Sequence, residues 1–252
     1  MTAMKTRLAI PMLGLLLAPS AFAATDAKVY LASVETVTRL VRVQDVENGA
    51  MRQAVPGTTL AEGSRVFTLK DAKCRINFGD GRILNLAGDT SIVISRFPKR
   101  QAMRWLVKLV QGRVRAKVNR MIGDTDFGIY ASTTVTAVKG TGWDVVRTAD
   151  NVVQVLVDDG KVNVAELKDE KDLDQVEKVF ISVVLGNLGF QLAAGKMLNV
   201  MPGKAFPSPI PIPPGFPDPF SDWGTSSPGT KAPTGPKPPS LPGLPGGGFG
   251  FP

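Results

Sequence analysis

Arg113, Arg115 and Lys117 alternate with Val114, Ala116 and Val118, and this spacing is the strongest chemical signal in the chain. On an extended strand, alternate side chains share a face and lie about 7 Å apart, so the three cations form a linear rail. Such a rail suits repeated anions: lipid phosphates, acidic glycans or an acidic protein surface. Arg104 and Lys108 precede it within the densest basic stretch, residues 96–120, and join it as candidate anion-binding residues. Between residues 39 and 120 there are 17 basic and 6 acidic side chains, whereas 121–200 holds 7 basic and 12 acidic. The plain alternative is a solvated face, or cations that discourage strands from pairing edge to edge.

The remaining chemical candidates are weaker. Asp124 and Asp126, in Gly123-Asp124-Thr125-Asp126-Phe127-Gly128, offer oxygens that could hold calcium, but the other ligands of an EF loop are missing. Turn chemistry accounts for both without a metal. Asp158 and Asp159 are adjacent, so an extended chain points them to opposite faces and not into one carboxylate dyad. Asp159-Gly160 is instead read as a tight hairpin turn, as is Asp80-Gly81. Trp143, after Gly140-Thr141-Gly142, could stack on a sugar ring, but anchoring a core is the preferred reading. Cys74 alternates with Ile76 and Phe78 and reads as a buried small hydrophobe.

With no histidine and one cysteine among 252 residues, Ser-His-Asp and Cys-His catalysis, His-ligated zinc and CxxC redox chemistry are excluded. A carboxylate-dependent glycan hydrolase is a remote third possibility. No catalytic residue, cofactor or metal ligand is expected, and the chain reads as a binding module and not an enzyme.

The elements that must position these residues are mostly strands. Residues 34–46, 74–78, 83–86, 91–95, 114–118, 135–138, 145–147, 152–157 and 162–164 alternate or run apolar. They are rich in β-branched residues and are separated by Gly, Asp and Asn. A glycine, a basic residue and an apolar-alternating run recur at Gly81, Gly112, Gly160 and Gly195. The intervals are uneven, so this is a habit within one sheet system and not a solenoid. One helix is expected at 168–180, with Leu173, Val176 and Phe180 on one side, as a short solvent-facing insertion. The fold class is all-β: an antiparallel β-sandwich or rolled sheet of many short strands.

Both ends differ from this body. Lys5 and Arg7, the apolar run 8–18 and Ala21-Phe22-Ala23 read as a cleavable signal peptide over 1–23, giving an exported chain that begins at Ala24. The expected domain is 28–201, not membrane-spanning once the signal is removed. Residues 202–252 contain 16 Pro and 10 Gly, and are expected to form a disordered tail with polyproline-II stretches. Phe206, Phe216, Phe220 and Trp223 are its possible stickers.

Several runs together resemble a known family. Val66-Phe67-Thr68, the run 74–81 (Cys74 to Gly81), Leu84-Asn85-Leu86 and 90–94 are similar to the first half of the FecR domain, the periplasmic part of the iron-dicitrate type transmembrane regulators. Residues 109–114 and 129–145, which include Gly140-Thr141-Gly142-Trp143, resemble its second half, and 155–164 with 192–196 its closing strands. The resemblance spans 57–199 and implies an all-β fold in the periplasm or outside the cell. The regulators carry a cytoplasmic segment and a membrane span ahead of this domain, where a signal peptide is expected here. Their C-terminal signalling domain has no counterpart in the proline-rich tail. The expected function is therefore a non-catalytic exported binding or scaffold module that contacts a cell-envelope protein or an anionic glycan or lipid. The alternative is a periplasmic signalling accessory related to the anti-sigma regulators. Nucleic acid is not an expected partner, because export separates the chain from it.

Overall fold

The computed structural model describes residues 30–46, 48–79, 81–99, 102–118, 126–138 and 140–223. Their strands are β1 (Tyr30–Thr38), β2 (Val41–Gln44), β3 (Met51–Gln53), β4 (Thr59–Ala61), β5 (Arg65–Thr68), β6 (Lys73–Asn77), β7 (Arg82–Leu86), β8 (Ser91–Lys99) and β9 (Ala102–Val118). There follow β10 (Asp126–Ala131), β11 (Thr134–Val138), β12 (Gly142–Arg147), β13 (Val153–Asp159), β14 (Lys161–Glu166), helix α1 (Leu173–Val184), β15 (Phe190–Ala193), β16 (Lys196–Val200) and β17 (Ile210–Pro211). The all-β expectation holds.

Two layers enclose the core. The first runs β4-β1-β6-β7-β9-β12-β13-β16-β17. The second runs β3-β2-β5-β8-β9-β10-β11-β14-β15. Strand alternation sets the inward faces. In β6, for example, Cys74 and Ile76 are buried while Lys73, Arg75 and Asn77 point outward. Val34, Ile76, Leu84, Val114, Val145 and Val155 of the first layer pack with Val43, Val66, Ile92, Val107, Ile129 and Val164 of the second in one cluster.

Strand β9 belongs to both layers. Its N-terminal part pairs with β8 and β10, and from Gly112 onward it pairs with β7 and β12. Gly112 has φ +90, and a Cβ there would sit 2.6 Å from Thr90 Cα and 2.8 Å from the Asp89 carbonyl oxygen. Only glycine fits so close a backbone crossing at positive φ. The inward side chains are odd-numbered before the bend (Trp105, Val107, Leu109) and even-numbered after it (Val114, Ala116, Val118). Because β9 has swung to the opposite layer, β10 can return beside its first half in parallel, the one parallel pairing among the described strands.

Elsewhere the chain changes layers at left-handed residues: Arg39, Gly63, Asp71, Asp89, Gly160 and Gly195. This corrects one turn assignment. Gly160 does not close a hairpin, because β13 lies in the first layer and β14 in the second. A dipeptide fixes the local φ, but the pairing partners decide whether the chain reverses in-plane or changes layer. The β6–β7 connection is a true hairpin, with Asn77 opposite Ile83.

Helix α1 is also not a solvent-facing insertion. Asp172 caps it by accepting from the Gln175 amide, 3.0 Å, so it begins later than expected. Val176, Phe180, Val183 and Val184 are buried against Leu106, Tyr130, Val135, Ala137 and Ala165 on the outer face of the second layer, while Leu173 is exposed. Gly128 makes room for Phe180, whose Cε2 would lie 2.4 Å from an added Cβ. With the helix on one side and the core on the other, β10 and β11 are buried throughout. No helix among the described residues is long and apolar enough to cross a membrane.

The first part of the expected tail, residues 202–223, is among the described residues. Phe206 packs edge-on against Phe190 of β15, β17 pairs with β16, Met197 opposite Ile210 and Lys196 opposite Pro211, and residues 216–223 lie against the outer face of the first layer. The expected signal peptide, residues 224–252, Asp80 and Asp124 lie outside the described residues.

Candidate functional site

The bend at Gly112 divides the five basic candidates between two surfaces. Arg104 pairs in register with Asp126 on β10, in the second layer, and its side chain is outside those described. Lys108, also in the second layer, approaches Glu170 at 3.9 Å and lies over the Tyr130 ring. Glu170 further receives Arg147 Nη1 at 2.9 Å and the Ser132 amide at 3.1 Å, an anchoring role that the sequence reading missed. Arg113, Arg115 and Lys117 do share the outer face of the first layer, as their spacing requires.

They are not a bare rail. Asp144 projects from the neighbouring β12, with Asp144 opposite Arg115 and Val146 opposite Arg113 in the register. Its side chain is 1% exposed. Arg113 Nε donates to Asp144 Oδ2 at 2.9 Å, and Arg113 Nη2 contacts the same oxygen. Arg115 Nε donates to Asp144 Oδ1 at 2.6 Å, and its Nη2 to Oδ2 at 3.2 Å. One carboxylate thus holds two guanidinium groups, an arrangement that charge-assisted, forked hydrogen bonds favour. Asp158 Oδ2 lies 3.4 Å from Arg115 Nε. Burial works against the charge on Arg115, but the hydrogen bond and charge of Asp144, with Asp158 and Asp218, outweigh it and raise its pKa. Burial and the nearby Asp144 charge raise the Asp158 carboxyl above the ordinary range. Lys117 has no ion pair among the described residues.

A strap formed by residues 205–223 covers this surface. It leaves the β16 edge at β17, and Ile212 donates its amide to the Gly195 carbonyl at 3.0 Å. Arg113 Nη1 donates to the Pro217 carbonyl, and its guanidinium lies over the rings of Phe216 and Phe220. Arg115 Nη1 donates to Asp218 Oδ2 at 3.1 Å and lies over Phe220, which is buried. At the far side Arg75 donates to Asn85 Oδ1 at 2.9 Å and to the Trp223 carbonyl at 3.2 Å, with its guanidinium 5.2 Å from the Trp223 ring centre. Lys73 closes the row by pairing with Asp222. Stacked cation–π contacts and side chain-to-backbone hydrogen bonds are the means by which folded surfaces hold extended peptides. A cleft of about 840 Å³ remains beside the strap, lined in part by Arg75, Asn85, Lys117, Thr141, Asp158 and Phe220.

The signal for the strap was present in the sequence. Both acids of the tail, Asp218 and Asp222, and four of its six aromatics fall within 202–223. Composition over 51 residues averaged this segment with a glycine-rich end that lacks acids.

The strap should respond to pH. Burial resists ionisation of Asp218, but the Phe220 amide and Arg115 more than offset it, and its pKa is lowered. The Lys73 hydrogen bond lowers that of Asp222. Both carboxyls are then more acidic when docked than in a free chain, so their contribution is complete above about pH 4 and is lost as pH falls through their docked values. Asp158 runs the other way: its protonation relieves repulsion. The Trp223 indole resonance in NMR should therefore move toward a free-tryptophan position below about pH 4. Asp218→Asn with Asp222→Asn should flatten that change; an indole signal constant from neutral to acid would show that the carboxylates do not hold the strap.

The core candidates fall as expected. Trp143 is fully buried, donates to Thr136 Oγ1 at 3.2 Å and packs edge-on against Phe127. Cys74 is buried, which pushes its thiol up to about 12. Asp126 is buried at the start of β10, and Asp159 lies at the exposed corner before Gly160.

Residues 64–163 match the FecR protein family. No curated protein matches the chain. Two crystal structures of a candidate anti-sigma factor from Parabacteroides distasonis ATCC 8503 are each similar, with a TM-score of 0.42 and 16% identity. Each similarity covers 58% of this chain and 59% of that one, less than two thirds of its length. The matched stretch runs from the turn before β5 through β9 to the middle of β14, so Arg113, Arg115 and Asp144 all lie in the part of this chain that is similar to the FecR protein family.

Proposed function

We propose that this chain is an exported, non-catalytic binding module of the FecR type that acts by contact with a protein of the cell envelope. The observation that carries the reading is the row of Arg75, Arg113 and Arg115 holding an extended polypeptide through backbone carbonyls, carboxylates and aromatic rings. A glycan or lipid phosphate would supply anions but not the aromatic rings that lie under the arginines. It would also meet arginines already satisfied by the buried Asp144. The FecR match favours a place in a signalling assembly, which keeps the related alternative of a signalling accessory within the same mode of action.

The test is photo-crosslinking in the producing cells, with a photoreactive amino acid at Lys117, beside the row. An adduct with an envelope protein is expected, on a mature chain whose N-terminal mass begins at Ala24. Adducts only with glycan or lipid would replace the protein reading with the anionic-polymer one, and an unprocessed N-terminus would remove export.

A further inference from the structure

The geometry points to the outer face of the first layer as a groove for an extended, proline-interrupted segment of a partner, in which aromatic and carboxylate residues alternate, with this chain's own strap as its resident occupant. The inference rests on the protein-contact reading above and names the chemistry of the contact. Three observations lead to it.

The strap has a repeating pattern matched to the surface. Phe216, Asp218, Phe220 and Asp222 occupy alternate positions, and they meet Arg113, Arg115 and Lys73 in order across the sheet. The complementarity is of a kind that another segment with the same alternation can satisfy.

The strap is held lightly. Within 201–223 only Phe220 is buried, and the ladder to β16 involves two residues. Its remaining contacts are ion pairs, ring contacts and three hydrogen bonds to or from its backbone, and the ion pairs and ring contacts at the surface each contribute little. What keeps it in place is its tether, which sets an effective concentration in the millimolar range.

The surface beneath is more apolar than an exposed sheet face needs to be. Leu156 and Met197 occupy outward positions of β13 and β16 and are 3% and 4% exposed. With the strap displaced they would form an uncovered patch between the arginines and the β16 edge, which a partner segment would cover again.

The test uses the full chain and a fluorescein-labelled peptide of residues 205–223. Phe216→Ala, Asp218→Asn and Phe220→Ala together loosen the tethered strap without touching the groove. Fluorescence anisotropy should show this variant binding the peptide about tenfold or more tightly than the wild type does, because the intact strap competes. A peptide in which both aspartates are asparagine should bind about tenfold more weakly, a control that alters no residue of the protein. Equal affinity of wild type and variant, with matching circular dichroism, would overturn the inference. So would indifference to the two aspartates. A strap-exchanged dimer on size exclusion that the peptide cannot dissociate would make a second copy the occupant and overturn the assignment to a foreign partner. The probe needs no native partner, so the two readings fail separately. Peptide binding with crosslinks only to glycan sinks the protein-contact function, and protein crosslinks without peptide binding sink the groove.

Discussion

Gly112→Val is expected to cost about 4 kcal/mol, a large share of the roughly 5–15 kcal/mol that holds a typical domain folded. Two effects add. The backbone at φ +90 is a conformation that a β-branched residue adopts only under strain. The new Cβ would also lie 2.5 Å from Thr90 Oγ1 and 2.6 Å from Thr90 Cα, and the second of these is backbone that cannot rotate away. Thr90 itself ties the crossing together, since its Oγ1 accepts from the Arg113 amide at 3.1 Å. Gly112→Ala should show a smaller loss in the same direction. Gly142→Ala is the control: nothing lies within 4 Å of the added atom, and its effect should stay within about 0.5 kcal/mol. Chemical denaturation of the three variants checks the order. A Gly112→Val protein with wild-type stability would mean that β9 does not need a glycine to change layers.

Asp144→Ala should be the most damaging change to the candidate site. Removing one partner from a buried ionic cluster leaves the opposing charges without compensation, at a typical cost of about 3–5 kcal/mol. Here the loss leaves two guanidinium groups 13% and 21% exposed, so about 3 kcal/mol is expected, or a fall in melting temperature of roughly 6–12 °C. The freed arginines would also lose their fixed orientation, and the strap should loosen with them. Asp144→Asn keeps the shape and part of the hydrogen bonding and should lie between. Calorimetry and the Trp223 indole signal together decide the matter. A variant that melts within about 2 °C of the wild type with the strap still docked would show that Asp144 organises nothing.

The parts of this molecule legible in the sequence are those set by short-range periodicity. The alternation over 113–118 correctly put three cations on one face, and Cys74, Ile76 and Phe78 inward. What periodicity lacks is the identity of the neighbour. Asp144 is 31 residues from Arg113 and 29 from Arg115, and only the β9–β12 register joins them. The same blindness merged Lys108 with Arg113, since nothing local in Gly112 tells a bend between layers from a turn. In α1 the spacing of Leu173, Val176 and Phe180 indicated a helix, but which arc faced inward depended on a sheet surface that β10 and β11 had yet to form. The strap escaped because proline content argues against regular structure, not against docking. An extended segment held through side chains has no periodic signature.

The pairing of β17 with β16 has a consequence at the rim of the first layer. Bare, the outer side of the five-residue β16 would offer the unpaired backbone groups of alternate residues, a template on which another molecule's strand could add. The two-residue β17 covers the start of that rim, at Lys196 and Met197, and Pro211 has no amide hydrogen to donate to a ladder. A chain shortened before Ile210 would therefore lose more than a groove occupant. It would also present a longer open strand edge, the kind of surface on which strands of other molecules add.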